Sequence, residues 1–299
     1  MGHGAKLQWK EGPPKPFHHG VSLRKEDYVG NQKEFMDKEK ERALATGAWE
    51  PATCTRYVSK VFLVPKPNGK WRLVMDFRWL NSHCREFKCR FETLKALQRL
   101  ARRGDYMFSF DLQDGYHAIG IAPEDRKYFT FCLDGEYFQA AALPFGWNMS
   151  PYVFVKTMRV LVQALRSPTA ALDQIALQEM ARGQTPGQRL RRAGGRSDPR
   201  VRGLRVLPYM DDFLIICRTR AEALRARHRV SEVLEALGLK RNPDKGHWDV
   251  TQRLEHLGML IDTKKGLFQV TPSRLAKIIA LAKDLVFTSK GAGRLVTAR

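Results

Sequence analysis

Val206-Leu207-Pro208-Tyr209-Met210-Asp211-Asp212-Phe213-Leu214-Ile215-Ile216-Cys217 sets two adjacent carboxylates between two short apolar runs. Apolar runs of that length around a polar centre describe a tight β-hairpin with acids at its tip. Adjacent carboxylates repel, and each is expensive to take out of water. A site that keeps both usually holds a cation, and hard oxygen ligands without a neighbouring His or Cys suit magnesium rather than zinc. Asp-Asp is also a common turn dipeptide, so the pair alone leaves a solvated turn open.

A further acid narrows the choice. Phe108-Ser109-Phe110-Asp111-Leu112-Gln113-Asp114-Gly115-Tyr116 is an apolar strand ending in Asp111, 100 positions before Asp211. If the two strand systems lie side by side, three carboxylates can share two magnesium ions about 3.5–4 Å apart, the arrangement that serves in-line phosphoryl transfer. The competing reading is that Asp111 caps a turn and stays solvated.

Composition agrees with a polyanionic partner. The 299 residues carry 52 Lys and Arg against 31 Asp and Glu, a net charge of +21. Such an excess favours nucleic acid or an anionic membrane surface. No run of 18 apolar residues marks a transmembrane helix, and the first ten residues lack the apolar core of a signal peptide. Lys6 stands where a myristoylation site would carry Ser or Thr. The expectation is therefore a nucleic-acid partner, no membrane, and an intracellular address (cytoplasmic or nuclear, not secreted). The cysteines Cys54, Cys84, Cys89, Cys132 and Cys217 are odd in number and form no CxxC pair. Neither a disulfide framework nor a structural zinc site is expected.

Local patterns point to an α+β architecture. Residues 1–50 form a polar N-terminal segment, read as a linker and one solvated helix around 34–45. An apolar run over 58–64, the turn Pro65-Lys66-Pro67-Asn68-Gly69 and a return over 71–75 make a hairpin, Asn-Gly being a strong turn signal. The runs 128–133 and 136–142 around Asp134-Gly135 make a second. Ser150-Pro151 starts a helix, with Phe154, Met158, Leu161, Val162 and Leu165 on one face. Thr219-Arg220-Ala221-Glu222 fits a capping box, followed by Leu224, Val230, Val233, Leu234 and Leu237 and ended by Gly238. Residues 166–205 are a basic Gly/Arg-rich insertion: eight Arg and one acid, Asp198, fall between Arg182 and Arg205. Such composition buries no core and predicts a mobile loop, either a clamp on a nucleic-acid backbone or an inserted or mis-spliced stretch that the fold tolerates.

Six motifs, in order, resemble the reverse transcriptase family. Asp111-Leu112-Gln113-Asp114-Gly115-Tyr116, Leu143-Pro144-Phe145-Gly146-Trp147-Asn148-Met149-Ser150-Pro151 and Tyr209-Met210-Asp211-Asp212 look like its A, B and C motifs. The stretch from Val64-Pro65-Lys66 to Asp76-Phe77-Arg78-Trp79-Leu80-Asn81 resembles its fingers motif. Asn242-Pro243-Asp244-Lys245 and Leu254-Glu255-His256-Leu257-Gly258 resemble its D motif and primer grip. The texture is most similar to retrotransposons of the gypsy-like, caulimovirus-like and DIRS-like groups.

The resemblance implies a right-hand polymerase fold of fingers, palm and partial thumb, with an antiparallel palm sheet packed on helices. Its boundaries would be fingers over 51–104, palm motifs A and B over 105–165 with a fingers hairpin at 128–142, and palm motifs C, D and primer grip over 206–265. A truncated thumb would follow over 266–299. It implies an RNA-directed DNA polymerase that adds dNTPs to a primer 3′-hydroxyl with two Mg2+ ions, Mn2+ being the alternative. Template RNA or DNA, primer and dNTPs would be its partners, and the chain would be part of a larger polyprotein with ribonuclease H. Asp111, Asp211, Asp212 and the Leu112 carbonyl would be metal ligands, and Lys245 the general acid toward pyrophosphate. Lys70, Arg72, Asp114, Gly115, Tyr116 and Phe145 would bind the nucleotide, Tyr116 as a steric gate against a 2′-hydroxyl. Leu257, Gly258 and Met259 would grip the primer. The alternative is a retroelement-derived nucleic-acid-binding module that is catalytically weak or inactive; an RNA-directed RNA polymerase would carry a small or polar residue at Tyr116.

Overall fold

The structure, a computed structural model, describes residues 4–20, 23–66, 69–89, 91–92, 94–167 and 203–292. Pro67 and Asn68 of the first expected turn and residues 168–202 of the expected basic insertion lie outside the described residues. In chain order the strands are β1 (Phe17–His18), β2 (Trp49–Pro51), β3 (Tyr57–Pro65), β4 (Trp71–Asp76), β5 (Tyr106–Asp111), β6 (Thr130–Leu133), β7 (Glu136–Ala140), β8 (Arg205–Tyr209), β9 (Asp212–Cys217), β10 (Arg253–His256), β11 (Met259–Asp262) and β12 (Leu267–Val270). The helices are α1 (Gln32–Ala45), α2 (Arg78–His83), α3 (Leu94–Leu100), α4 (Ser150–Arg166), α5 (Arg220–Ala236) and α6 (Pro272–Ala292).

The chain divides into two compact units, Met1–Arg90 with Gln113–Val160, and Phe91–Leu112 with Leu161–Arg299. The first is built on a sheet of order β1-β3-β6-β7-β2, with β4 paired to β3. Both expected hairpins are in it. Asp134 and Gly135 take φ of 52° and 84°, the paired left-handed conformation a two-residue hairpin needs. The N-terminal stretch departs from the linker expectation. The Ala5 amide donates to the Gly120 carbonyl at 2.8 Å, and the Leu7 amide to Asp125 Oδ2 at 2.8 Å. Ala5 and Leu7 are buried. The alternation Ala5, Leu7, Trp9 is a short strand pattern that the intervening polar residues concealed. Likewise α1 is not fully solvated, because its own Met36 and Ala43, one face of the helix, are buried.

The second unit holds two antiparallel three-stranded sheets, β5-β9-β8 and β10-β11-β12. Leu97, Met107, Leu207, Leu214, Ile216, Leu254 and Ile261 form one buried cluster joining α3, the first sheet and the β10–β11 hairpin. Helix α5 packs on β9 and β5 through Ala223, Ala226, Val230, Val233 and Leu234. The Thr219 hydroxyl accepts from the Glu222 amide at 3.1 Å, as the capping motif predicts, but Glu222 reaches the Arg218 amide rather than that of Thr219. Leu224, expected on the apolar side, is 43% exposed. The small residues Ala223 and Ala226 turn their own face to the sheet, because they allow the closer approach.

Candidate active site

Everything the opening sequence stretch carries is delivered by strand register. β8 and β9 pair with Tyr209 opposite Asp212, leaving Met210 and Asp211 as a two-residue connection. Met210 sits at φ 55°, left-handed backbone that costs a side-chain-bearing residue about 1–2 kcal/mol. β5 pairs with β9 so that Phe110 faces Phe213 and Asp111 faces Asp212. Residues directly opposite in an antiparallel pair have Cβ atoms about 4.5–5.5 Å apart. The Leu112 amide donates to the Asp211 carbonyl at 3.0 Å, tying the end of β5 to the turn. Beneath the acids the Phe110 and Phe213 rings stack 4.9 Å apart, 6° from parallel. Because successive side chains alternate between faces, that stack lies on the side of the sheet away from the carboxylates and pins the register that sets Asp111 opposite Asp212.

The electrostatic consequence is mutual destabilisation of charge. Burial, then the Asp211 charge, raises the Asp111 carboxyl above the usual carboxylate range, while Lys245 draws it back. Asp212 is pushed up to about 6 by burial first and then by the charges of Asp111 and Asp211. The Lys245 ammonium lies 3.4 Å from Asp111 Oδ1. Among the described residues no set of three or more His, Cys, Asp and Glu side chains is already drawn into a complete coordination cluster. The donor set nonetheless fits a hard divalent cation: the Asp111 and Asp212 carboxylates stand opposite each other with Asp211 in the adjoining turn, hard oxygen donors whose crowded negative charge a cation would relieve.

Two residues that the sequence reading passed over shape this site. Gly246, at φ 75°, passes so close to β5 that a Cβ there would lie 2.8 Å from Phe110 Cα and the Ser109 carbonyl. With the Ser109 amide bonded to the His247 carbonyl at 2.8 Å and the His247 amide to Ser109 Oγ at 2.9 Å, this glycine seats the loop carrying Lys245. A glycine following Lys245 was the signal available in the sequence. His256, buried at the end of β10, has Nδ1 3.9 Å from Asp212 Oδ1, and its Nε2 has no hydrogen-bond partner. Burial pushes its pKa down to about 4. His256 falls inside the stretch that resembles a primer grip, which does not by itself place it beside Asp212.

The remaining site residues fall in two places. Leu257 and Gly258, at φ 51° and 72°, form the tight turn between β10 and β11, and Met259 begins β11. Lys70, Arg72, Asp114, Gly115, Tyr116 and Phe145 all belong to the first unit. There the Tyr116 ring stacks on Phe145 at 4.9 Å, 21° from parallel, and meets Phe154 at 5.1 Å, tilted by 48°. Gly146 takes φ 99°, and a Cβ there would lie 2.7 Å from the Met75 carbonyl, so only glycine fits. Asn81 clamps the same loop, donating to the Gly146 carbonyl at 2.8 Å and accepting from the Asn148 amide at 3.0 Å. Lys70 and Arg72 are exposed at the β3–β4 hairpin. Asp114 is held by Arg42, with 2.6 Å between Nη1 and Oδ1.

Known proteins bear on this arrangement. The family model described as reverse transcriptase (RNA-dependent DNA polymerase) matches residues 64–261. The chain is 30% identical over 178 residues to the Pol polyprotein of equine infectious anemia virus (isolate 1369), covering 54% of this chain and 14% of that polyprotein. It is 30% identical over 115 residues to the Pro-Pol polyprotein of simian foamy virus type 1, covering 38% and 10%. A putative enzymatic polyprotein of cassava vein mosaic virus is 26% identical over 144 residues, covering 47% and 20%. These matches thus span a tenth to a fifth of the length of the polyproteins concerned. Among solved structures, a foamy viral protease–reverse transcriptase in complex with double-stranded DNA superposes with a TM-score of 0.63 at 20% identity, covering 91% of this chain and 41% of that one. The α+β fold is therefore the one seen in viral reverse transcriptases, and with two thirds of its length matched by the family model, this chain belongs to the reverse transcriptase family.

Proposed function

We propose that this chain is the polymerase core of a retroelement reverse transcriptase, an RNA-directed DNA polymerase that extends a primer with dNTPs on an RNA or DNA template. The observation carrying this reading is the register that sets Asp111 opposite Asp212 with Asp211 in the adjoining turn. Asp111, Asp211, Asp212 and the Leu112 carbonyl would hold two magnesium ions, with manganese as the alternative. Bound there, the metal supplies positive charge that lowers the pKa of the primer 3′-hydroxyl and steadies the triphosphate and leaving pyrophosphate.

The chain's own side chains do the rest. Lys70 and Arg72 take the triphosphate, the one as a point charge and the other as a fork. Tyr116, braced by Phe145 and Phe154, presents a fixed ring to the sugar and leaves no room for a 2′-hydroxyl. Asp114 and Gly115 shape the turn beside it. Lys245, already beside Asp111, donates a proton to pyrophosphate. The Leu257-Gly258-Met259 turn supports the primer end. In this reading residues 51–104 are fingers, 105–165 palm with a fingers hairpin at 128–142, 206–265 palm, and 266–299 the start of a thumb, within a polyprotein that also carries ribonuclease H.

Primer extension on a defined RNA template with Mg2+ and dNTPs tests the assignment. Asp211→Asn is expected to lower the extension rate at least about 100-fold, since a metal's charge stabilisation is worth several kcal/mol. A variant extending as fast as the parent would falsify the metal-ligand role.

A further inference from the structure

Helix α1 lies outside the span matched by the family model, residues 64–261, yet it reaches the turn that carries Tyr116. Arg42, in its last turn, places Nη1 2.6 Å from Asp114 Oδ1 and Nη2 2.9 Å from Glu39 Oε1. The helix itself is fixed on the body of the first unit. Met36 and Ala43 are buried, the Ala48 amide donates to the Ala43 carbonyl at 2.9 Å, and Lys40 pairs with Glu136 while lying over the Phe138 ring. The guanidinium is therefore presented from a rigid support, with Glu39 setting its orientation.

What it holds is a strained turn. Asp114 takes φ 48°, left-handed backbone that persists only where its surroundings over-determine it. The following residues are closed by two backbone bonds, Ala118 amide to Asp114 carbonyl at 3.2 Å and Ile119 amide to Tyr116 carbonyl at 3.1 Å. Tyr116 projects from the middle of this turn onto Phe145. Arg42, Glu39, His117 and Phe145 line one cavity of about 70 Å3, which puts the guanidinium beside the residue following Tyr116 and beside the ring on which Tyr116 stacks. The ion pair is about 40% exposed on both sides. Such pairs contribute little to global stability; its value lies in geometry.

We propose that Arg42 is a positioning residue for sugar discrimination: by fixing Asp114 it holds the 114–119 turn and so sets the Tyr116 ring against the incoming nucleotide. This rests on the polymerase reading above, and it adds to that reading a helix outside the family span. A ring free to tilt by a fraction of an ångström admits a 2′-hydroxyl more readily, so loosening the turn erodes selectivity before it erodes rate.

The full chain carrying Arg42→Met, Arg42→Lys or Asp114→Asn is compared with the parent in two measurements. In single-nucleotide extension with dTTP against UTP, Arg42→Met and Asp114→Asn are expected to lower the dNTP:rNTP selectivity about 5-fold. Arg42→Lys is expected to keep most of it, and the Arg42→Met/Asp114→Asn pair to fall no further than either single change. In hydrogen exchange, the Ala118 and Ile119 amides should exchange several-fold faster in Arg42→Met, with the melting temperature nearly unchanged. Unaltered selectivity and exchange in variants that fold overturn the proposal. If the parent extends with neither nucleotide, the polymerase reading falls, and the exchange measurement alone then decides whether Arg42 governs the turn.

Discussion

At the scale of single residues, the site opposes its own charge, and that has a pH signature. Asp111 and Asp212 have folded pKa values above the usual carboxylate range, Asp212 at about 6. Between about pH 4 and 6 the native state therefore holds more protons than the unfolded chain, and the stability these groups contribute falls as pH rises through that window. His256 acts in the opposite sense. Its folded value of about 4 lies below the unfolded one, so its contribution is present above about pH 6.5 and is lost as pH falls toward 4. Without divalent metal, Asp212→Asn is expected to melt above the parent at pH 7.5 and close to it at pH 4.5, which thermal denaturation in a chelator reads directly. Added Mg2+ should raise the melting temperature of the parent at pH 7.5 and that of the variant less. Tyr116→Ala belongs to the same scale: removing the ring opens space for a 2′-hydroxyl, and ribonucleotide incorporation should rise about 10–100-fold relative to dNTP, the equivalent of 1–3 kcal/mol of overpacking.

At the scale of elements, the site is three connections made tight enough to hold side chains in place. The Met210–Asp211 turn keeps a residue at positive φ, and the β5–β9 pairing gives that turn a fixed partner. The loop holding Lys245 depends on Gly246 passing against β5. Gly246→Ala should cost about 2 kcal/mol through strain at positive φ and the backbone clash. It should also lower the extension rate while leaving dNTP affinity nearly intact, because Lys245 is moved away from Asp111. Equal losses in both would point to general unfolding instead. The start of β8 is anchored by Arg205, whose two guanidinium nitrogens meet the buried Asp105 carboxylate at 2.7 and 3.0 Å. Arg205→Met leaves that buried carboxylate without its counter-charge and with the Arg102 amide at 2.7 Å as its remaining hydrogen-bond donor, and a loss of about 3 kcal/mol in denaturant unfolding is expected.

At the scale of the whole chain, the proposed function gives the charge a task, the engagement of a nucleic-acid backbone. A net +21 predicts binding dominated by phosphate contacts and released counterions. Affinity for a template–primer duplex should fall about 10³-fold or more between 50 and 200 mM salt if six or more phosphates are engaged. A flat salt response would leave the positive charge without its assigned task. No helix among the described residues is long and apolar enough to cross a membrane. The two units have separate sheets, and the acids with Lys245 belong to one while Tyr116 and Phe145 belong to the other.

Much of this was legible from local pattern. The hairpin at Tyr209-Met210-Asp211-Asp212, the strand ending in Asp111, the Asp134-Gly135 turn and the apolar faces of α4 and most of α5 follow from periodicity and turn chemistry, which act over a few residues and leave a mark in every window. What local pattern does not encode is who lies opposite whom. That Asp111 faces Asp212, that Gly246 presses on β5, that His256 comes beside Asp212 and that Arg42 reaches Asp114 are long-range pairings. They are fixed by strand register and by the packing of cores that no window of a dozen residues contains. The chain alone names its acids; the fold gives them their neighbours, because a carboxylate's charge, burial and partner are properties of the space around it.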